Sequence, residues 1–403
     1  MIRALPAAAL AAICAIAVPA AAQTPAEWQD VIRNLRHPNP QTRLDAVKRL
    51  GEAGYVPAAE AVSALIADPD DRVQLAAIDA ELTFFLADRV GGRWSIGGGG
   101  GKSRAQQAFE AGPLVRTAAP APPALIDHLI AAMRDENARV QFDAVHALGF
   151  IAESPLPAAQ VTRLAAELDH YDPVMRAATA RVLGRLRARE AGDQLAIAMT
   201  DSSALVRMYA AEALGQIRDT KSAVALREHV GQSRGDMLET VVLALARLGL
   251  PEDIGLFRQR LTDRSPELRR AAAEGLGRAG DRDSMPALET MLKTDRANDA
   301  RLAAAFALQR LGQTQSHIVA SMLALDEMNA EARDDLFELG AAAVPGVLQA
   351  LKVATGSRYR ADLVQTIGYI GGTDDIASIE PLLRDPDERV QRAATQAVAR
   401  LRR

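Results

Sequence analysis

Cysteine is almost missing from this chain of 403 residues, since Cys14 is the only one. It lies in the N-terminal stretch MIRALPAAALAAICAIAVPAAAQ, where a basic start at Arg3 precedes an apolar run and three alanines stand before Gln23. This order is typical of a signal peptide that is cleaved after a small residue. Residues 1–22 are therefore predicted to be a signal peptide, and the mature chain has no thiol and forms no disulfide.

The predicted location is the periplasm or the exterior of the cell. Lipid attachment at Cys14 is the alternative, but bulky Ile13 stands where lipoprotein signals have a small residue. No later segment is an uninterrupted apolar run of the roughly 18 to 20 residues that span a bilayer, so we expect no transmembrane segment.

An excess of basic residues is also lacking. Removing Arg3 from the 47 lysines and arginines leaves 46 against 51 aspartates and glutamates. A polyanion attracts a basic surface, so this balance argues against nucleic acid as the main partner. The six histidines have no second histidine or cysteine at metal-ligand spacing, and neither a metal site nor a cofactor is expected. No Ser/His/Asp arrangement is recognisable either.

What the chain does have is a repeated motif. It is clearest in VQFDAVHALG (140–149), MRAATARVLG (175–184), VRMYAAEALG (206–215), LRRAAAEGLG (268–277) and ARLAAAFALQ (300–309). Weaker copies begin at Thr42, Val73, Met237, Ala332, Tyr359 and Val390. Of the ten steps between successive copies, strong and weak together, five are 31 residues long, the shortest is 27 and the longest is 67. A fixed period of this length indicates stacked repeats.

Each repeat is predicted to be a pair of helices. Apolar residues in the motif recur at helical spacing, and an amphipathic segment and an Asp-rich turn precede it. We expect the aspartate five residues before a motif start to accept hydrogen bonds from the first N–H groups of the next helix. That position holds Asp68, Asp135, Asp201, Asp263, Asp295 and Asp385, and His37 and His170 occupy it in two other repeats. The paired alanines of the motif let neighbouring helices approach closely.

An Asp-rich turn followed by V-R-x-x-A-A-x-A-L-G resembles the HEAT-repeat family, in its short bacterial, phycobilisome-lyase form. The resemblance covers residues 24–403 and implies an all-α solenoid of about eleven two-helix repeats. It also implies a structural Asp–Arg ladder between repeats, here with Arg176, Arg207, Arg269, Arg301 and Arg360 at motif position 2. The family includes scaffolds, lyase subunits and a few enzymes. HEAT-like deoxyhypusine hydroxylases carry His-Glu pairs, and this sequence has none.

In HEAT-like solenoids the second helix of each pair lines the inner curve. Motif position 11, which faces away from the apolar stripe, holds Arg185, Gln216, Arg247, Arg278, Arg310 and Tyr369. These residues are the predicted partner-binding strip. The alternative is that the arginines only complement the negative end of the helix dipole, or form pairs such as Glu274 with Arg278.

One insertion interrupts the period. Residues 83–121 are rich in glycine and proline and contain GGRWSIGGGGGKS, which ends like a phosphate-binding loop. Such a loop needs a glycine five residues before Gly101, where this chain has Ile96, and a preceding buried strand. We therefore expect a flexible glycine loop with a docked Trp94, and a short helix capped by Ser103.

The predicted organisation is a signal peptide (1–22), N-terminal HEAT-like repeats (23–82), the insertion (83–121) and the main solenoid (122–403). Its expected function is that of an exported, non-catalytic scaffold that binds a protein on its concave face. The alternative is an enzyme or an enzyme subunit, lyase-like, with a site at the 83–121 insertion.

Overall fold

The structure, a computed structural model, describes residues 25–86, 101–111 and 120–402. The predicted signal peptide and Trp94 lie outside these residues. The chain divides into two compact units, residues 1–128 and 129–403. The helices that begin in the first unit are α1 (Ala26–Asn34), α2 (Pro40–Ala53), α3 (Ala59–Ser63), α4 (Asp71–Phe85), α5 (Arg104–Ala111) and α6 (Pro123–Ala132).

The second unit continues the pairs. Its helices are α7 (Ala138–Ile151), α8 (Ala158–Ala165), α9 (Pro173–Arg185), α10 (Gly192–Ala198), α11 (Ala204–Ile217), α12 (Ala223–Val230), α13 (Gly235–Leu248), α14 (Ile254–Arg260), α15 (Pro266–Ala279), α16 (Met285–Thr294), α17 (Asn298–Arg310), α18 (Ser316–Ser321), α19 (Asn329–Leu339), α20 (Val344–Val353), α21 (Ser357–Ile370), α22 (Ile376–Ile379) and α23 (Glu388–Leu401).

The predicted all-α solenoid is confirmed. Helices α1–α4 form two pairs and α6–α23 form nine, so the described residues contain eleven pairs, and α5 stands outside them. Within each unit the second helix of a pair packs against the second helix of the next pair: α2 against α4 in the first unit, and α7, α9, α11, α13, α15 and α17 in succession in the second. Helix α4 continues to Phe85, so it ends two residues beyond Thr83, the predicted start of the insertion.

Glycine at motif position 10 allows this stacking. A Cβ on Gly277 would lie 2.6 Å from the Cα of Ala307 in the next repeat, and one on Gly215 would lie 2.7 Å from the Cα of Ala244. Both distances are shorter than real Cβ contacts, so a larger residue would force the two helices apart. Glycine against alanine thus sets the close spacing that the alanine pairs predicted.

The Asp–Arg ladder links neighbouring repeats as the resemblance implied. Arg176 donates from Nε and Nη2 to Asp201 at 2.7 and 2.8 Å, and Arg269 binds Asp295 in the same way at 2.7 Å. Arg360 binds Asp385, and Arg43 adds the same link to Asp68. Arg207 and Arg301 differ, because they bind groups of their own repeats. Arg207 donates to the carbonyls of Asp201 and Ser202, and Arg301 donates to Asn298.

The role predicted for the turn aspartates needs a correction. Asp201 accepts from the backbone N–H of Ser203 at 2.7 Å, and Ser203 is itself the N-cap of α11. The aspartate therefore closes the turn before the helix, and the residue two positions later occupies the N-cap position. Asp70 and Asp387 show such caps, because each accepts from the N–H two residues on. His170 takes the aspartate's place and accepts from the N–H of Asp172 at 3.1 Å.

One segment, Asn329–Val353, is long and apolar enough to cross a membrane by length and composition. It is not one continuous α-helix, since α19 ends at Leu339 and Gly340 follows with a φ of 60° and a ψ of −144°. After one short turn the chain continues as α20, whose Val344 and Val347 are buried in the core with Leu336 of α19.

Candidate interaction surface on the inner face

The predicted strip lies at the C-terminal ends of the second helices of the second unit. Arg185 is the last residue of α9, Arg310 is the last of α17, and Arg247 and Arg278 lie one residue from the ends of α13 and α15. The 31-residue period puts the same side of each helix at the same place in each repeat, so these side chains recur along one surface.

Helix α19 supplies acidic side chains to this surface. Glu338 accepts from Nε and Nη2 of Arg278 at 2.9 and 3.0 Å, and from Arg310 at 3.3 Å. It also accepts from Arg218, just after α11, at 2.5 Å. One carboxylate thus holds three arginines from three different repeats.

A second set of contacts lies beside the first. Glu274 of α15 accepts from Arg270 at 3.0 Å and from Arg278 at 2.7 Å, and Glu331 of α19 accepts from Arg270. Arg278 also lies over the ring of Phe306, 4.8 Å from its centroid. Its side chain is only 8% exposed, so it is part of a packed ionic cluster.

Residues 60 and 120 positions apart meet here, although a solenoid repeat ordinarily contacts only its neighbours. Side chains from α11, α15, α17 and α19 can converge in this way only on the concave side of the curve. We call this surface the inner face. It comprises Arg185, Arg187, Arg218, Arg247, Arg270, Arg278 and Arg310, with the α19 carboxylates Glu331, Asp334, Asp335 and Glu338.

The inner-face carboxylates differ in their pKa values. Burial alone would raise the pKa of Glu274, but the charges of Arg278 and Arg270 lower it to about 2. Burial would also raise the pKa of Glu338, and the hydrogen bond and charge of Arg278 bring it below the ordinary value. Asp335 is also buried, and burial together with the charge of Glu274 holds its pKa well above the usual range.

Asp334 lies at the upstream end of the inner face. Desolvation raises its pKa above the ordinary value, against the charges of Arg247, Arg187 and Arg185, which lower it. Nη1 of Arg247 is buried and has no hydrogen-bond partner. Burial lowers the pKa of Arg247 and of Arg185. Asp334 thus lies within electrostatic reach of three arginines.

The other two residues of the predicted strip have local partners. Gln216 donates to Glu212 at 3.0 Å within α11. Tyr369 of α21 lies under the guanidinium of Arg400, 3.9 Å from its ring centroid, and against Phe337 of α19 at 5.1 Å. The structure thus brings Arg278 and Arg310 together on Glu338 and places Arg185 and Arg247 near Asp334. A partner-binding role for all six residues stays a prediction.

The acidic side of α19 was missed by the sequence analysis. The sequence does contain a signal for this acidic side. The motif copy that begins at Ala332, in α19, is followed by the shortest step, 27 residues. The segment EARDDLFE (331–338) also places carboxylates at i, i+3, i+4 and i+7, on one face of the helix. The sign of these charges is opposite to that of the arginines at position 11. The arginines and the α19 carboxylates meet because the solenoid curves, so the sequence motif alone does not predict their contact.

The insertion shows a local network. Ser103 accepts from the N–H of Gln106 at 3.2 Å and so caps α5, as predicted, while Lys102 donates to Glu110 at 2.7 Å. Arg104 binds Asp79 of α4 at 2.7 Å. The lysine that gave the stretch its likeness to a phosphate-binding loop is therefore paired with an acid of the same segment.

Two of the histidines lie against backbone carbonyls. His146 lies 2.8 Å from the carbonyl of Phe142, and His229 contacts the carbonyls of Ala225 and Met199. Within residues 25–86, 101–111 and 120–402, no three His, Cys, Asp or Glu side chains are grouped so as to hold a metal ion.

Comparison with known proteins identifies the repeats. Residues 161–246 and 236–309 match the family model of HEAT repeats. No curated protein sequence matches this chain.

Several solved structures are similar in fold at low identity. The complex of CpcE and CpcF of phycocyanin lyase from Nostoc is 20% identical, with 62% of this chain and 98% of that chain covered and a TM-score of 0.42. Human deoxyhypusine hydroxylase in complex with glycerol is 21% identical, with 69% and 96% covered and a TM-score of 0.30. The karyopherin Kap121p, bound to the extreme C-terminus of the protein phosphatase Cdc14p, is 15% identical, with 94% and 46% covered and a TM-score of 0.38. Residues 161–309 are therefore HEAT repeats by the family match, and they are built from helical pairs that carry the same motif.

Proposed function

We propose that this chain is an exported, non-catalytic scaffold that binds a protein partner on the inner face of its second unit. The observation that carries the proposal is the inner face itself, where arginines recur at the repeat period on packed helices and meet the carboxylates of α19. Rigid, regularly spaced charges suit the recognition of a macromolecule, because complementary charges give both orientation and specificity.

Export rests on the N-terminal segment with its basic start, apolar run and small residues before Gln23. Mass spectrometry of the protein from its native host tests this part. Gln23 or a neighbouring residue at the N-terminus supports export, and a full-length product retained in the cytoplasm contradicts it.

Site-specific photo-crosslinking tests the binding surface. We would place a photoreactive amino acid at Arg187, which is exposed on the inner face, and at Ile197, which is 70% exposed on the first helix of its pair, α10. The proposal predicts one discrete crosslinked protein from position 187 and none from position 197. Equal capture from both positions, or none from 187 in the native host, contradicts binding on the inner face.

A further inference from the structure

One contact of the inner face joins helices that are four pairs apart. Nη2 of Arg218, directly after α11, donates to Glu338 of α19 at 2.5 Å. Packed helices are spaced about 8–10 Å apart, so four steps along the stack correspond to roughly 32–40 Å. Two side chains nevertheless bridge α11 and α19 at their C-terminal ends. The stack therefore curves strongly enough to close the inner face between these two helices.

This closure limits what can enter between α11 and α19. A helix with its side chains is about 10–12 Å wide, whereas the guanidinium of Arg218 is in direct contact with the carboxylate of Glu338. Arg278, which is almost fully buried, occupies the other side of the same carboxylate and donates to it at 2.9 and 3.0 Å. A protein segment can therefore reach the space between α11 and α19 only when Arg218 leaves Glu338.

Arg218 is the most accessible of the three arginines that bind Glu338. Its side chain is 46% exposed, against 34% for Arg310 and 8% for Arg278. Exposed ion pairs contribute little net stability and are screened by salt, so the contact of Arg218 is the easiest of the three to break. Arg278 and Arg310 come from α15 and α17, the two second helices before α19. They keep Glu338 in place when Arg218 is released.

The backbone of Arg218 has a conformation that other repeats give to glycine. Arg218 ends α11 in the left-handed region, with a φ of 52° and a ψ of 38°. Gly54, Gly249 and Gly280 have this conformation after α2, α13 and α15. A residue with a Cβ is less stable there than glycine, because the Cβ approaches a carbonyl oxygen. The ion pair with Glu338 offsets this strain, and glycine could not form it.

We propose that Arg218 and Glu338 form a gate, which holds the inner face closed between α11 and α19 and opens to admit the protein partner. Repeats of a solenoid contact mainly their neighbours, so small rotations at the four interfaces between these helices add up once the gate contact is broken. The admission of a partner rests on the proposed function, whereas the opening itself is a property of this chain alone.

The distance between two spin labels on the full chain tests the gate without the partner. The labelled chain carries Cys14→Ser, and the labels are attached through Thr220→Cys and Ala342→Cys, two exposed positions just after α11 and α19. We expect Arg218→Gly to lengthen the mean distance between the labels by at least about 5 Å, half of one helix spacing. Glycine suits the left-handed conformation, so this change removes the side chain without straining the backbone.

Arg187→Gly is the matched control. Arg187 has the same left-handed conformation one repeat earlier, with a φ of 49°, and is also exposed. The carboxylate of Glu338 accepts from Arg218 and not from Arg187, so this variant should leave the distance between the labels unchanged. Sodium chloride at about 1 M provides a second measurement on the labelled chain with Arg218 in place. It should lengthen the distance, because salt screens an exposed ion pair.

The gate is overturned if Arg218→Gly leaves the distance between the labels unchanged, or if Arg187→Gly lengthens it equally. A partner crosslinked from position 187 together with an unchanged distance supports the proposed function and overturns the gate. A longer distance without that crosslink supports the opening and contradicts binding on the inner face.

The admission of the partner has its own measurement. Arg218→Gly should raise the yield of the crosslink from position 187 severalfold, because the inner face is open in a larger fraction of the molecules. An equal yield from the unchanged chain and from Arg218→Gly overturns the role of the gate in admitting the partner.

Discussion

Arg278 and Glu338 form a two-pronged ion pair at 2.9 and 3.0 Å across 60 residues, between repeats that are not neighbours. Because Glu338 also holds Arg218 and Arg310, it fixes the curvature of the second unit through charge. The stability of the solenoid therefore includes a long-range contribution from one carboxylate, in addition to contacts between adjacent repeats.

Replacing Glu338 by glutamine should remove this contribution. We expect a loss of roughly 1.5–3 kcal/mol in the free energy of unfolding, since hydrogen bonds to charged groups are broken and three arginines lose their acceptor. Urea unfolding followed by circular dichroism measures it. The control is Asp30→Asn, which removes an exposed ion pair with Arg33 and should change stability by less than about 1 kcal/mol. Equal effects would show that Glu338 does not link the repeats.

Local regularity and long-range contacts were not equally predictable from the sequence. The period and the Asp–Arg ladder follow from residues that lie within one or two repeats of each other, such as Arg176 and Asp201. The meeting of Glu338 with Arg218 depends on the accumulated curvature of several repeats, which no single motif specifies. The arginines of the strip could therefore be predicted, but their neutralisation by α19 could not.

The close packing of second helices predicts an unusual response to alanine. Alanine normally stabilises a helix relative to glycine, but a Cβ at Gly277 would lie 2.6 Å from the backbone of Ala307. Gly277→Ala should therefore lower the free energy of unfolding by about 1–3 kcal/mol, as overpacked cores do. Gly255→Ala in α14 is the matched control, since its Cβ would meet nothing within 4 Å, and it should be neutral or up to about 1 kcal/mol more stable. The same sign for both changes would contradict the packing described here.

The Asp–Arg ladder predicts a pH dependence. The hydrogen bond from Arg176 lowers the pKa of Asp201, so its stabilising effect is present above the ordinary value of 3.8 and is lost as the pH falls through the lower value of the folded state. Asp201→Asn should cost roughly 1.5–3 kcal/mol at pH 7 and progressively less below about pH 4. Asp193→Asn, an exposed site in α10, controls for the change in net charge. A cost for Asp201→Asn that stays constant down to pH 2 would argue against the ladder.

Two buried acids of the inner face should respond in opposite directions. The pKa of Glu274 is about 2, so its ionised form stabilises the fold at neutral pH and Glu274→Gln should be destabilising. The pKa of Asp335 is raised well above its ordinary value, so the fold loses stability as the pH rises above 3.8 and the unfolded chain ionises first. Asp335→Asn should remove that loss and make the fold more stable at pH 7 than the unchanged chain. Denaturant unfolding at pH 4 and pH 7 separates the two, and a loss for both variants at pH 7 would be inconsistent with these pKa directions.

The last prediction separates two arginines that the motif makes equivalent. Arg278 is 8% exposed and binds Glu274 and Glu338, whereas Arg310 is 34% exposed and makes one longer contact with Glu338. Arg278→Ser leaves two buried carboxylates short of a partner and should cost roughly 3–5 kcal/mol, while Arg310→Ser should cost less than about 1 kcal/mol. Urea unfolding of both variants measures these two losses of stability.

A partner-capture experiment that replaces Arg278 therefore measures the loss of the fold together with any loss of contact with the partner. Arg310→Ser removes the same charge from the same surface with little loss of stability, so a fall in capture by this variant reports on binding alone. If the two variants unfold at the same urea concentration, Arg278 does not belong to a buried ionic cluster, and its side chain is as accessible to solvent as that of Arg310.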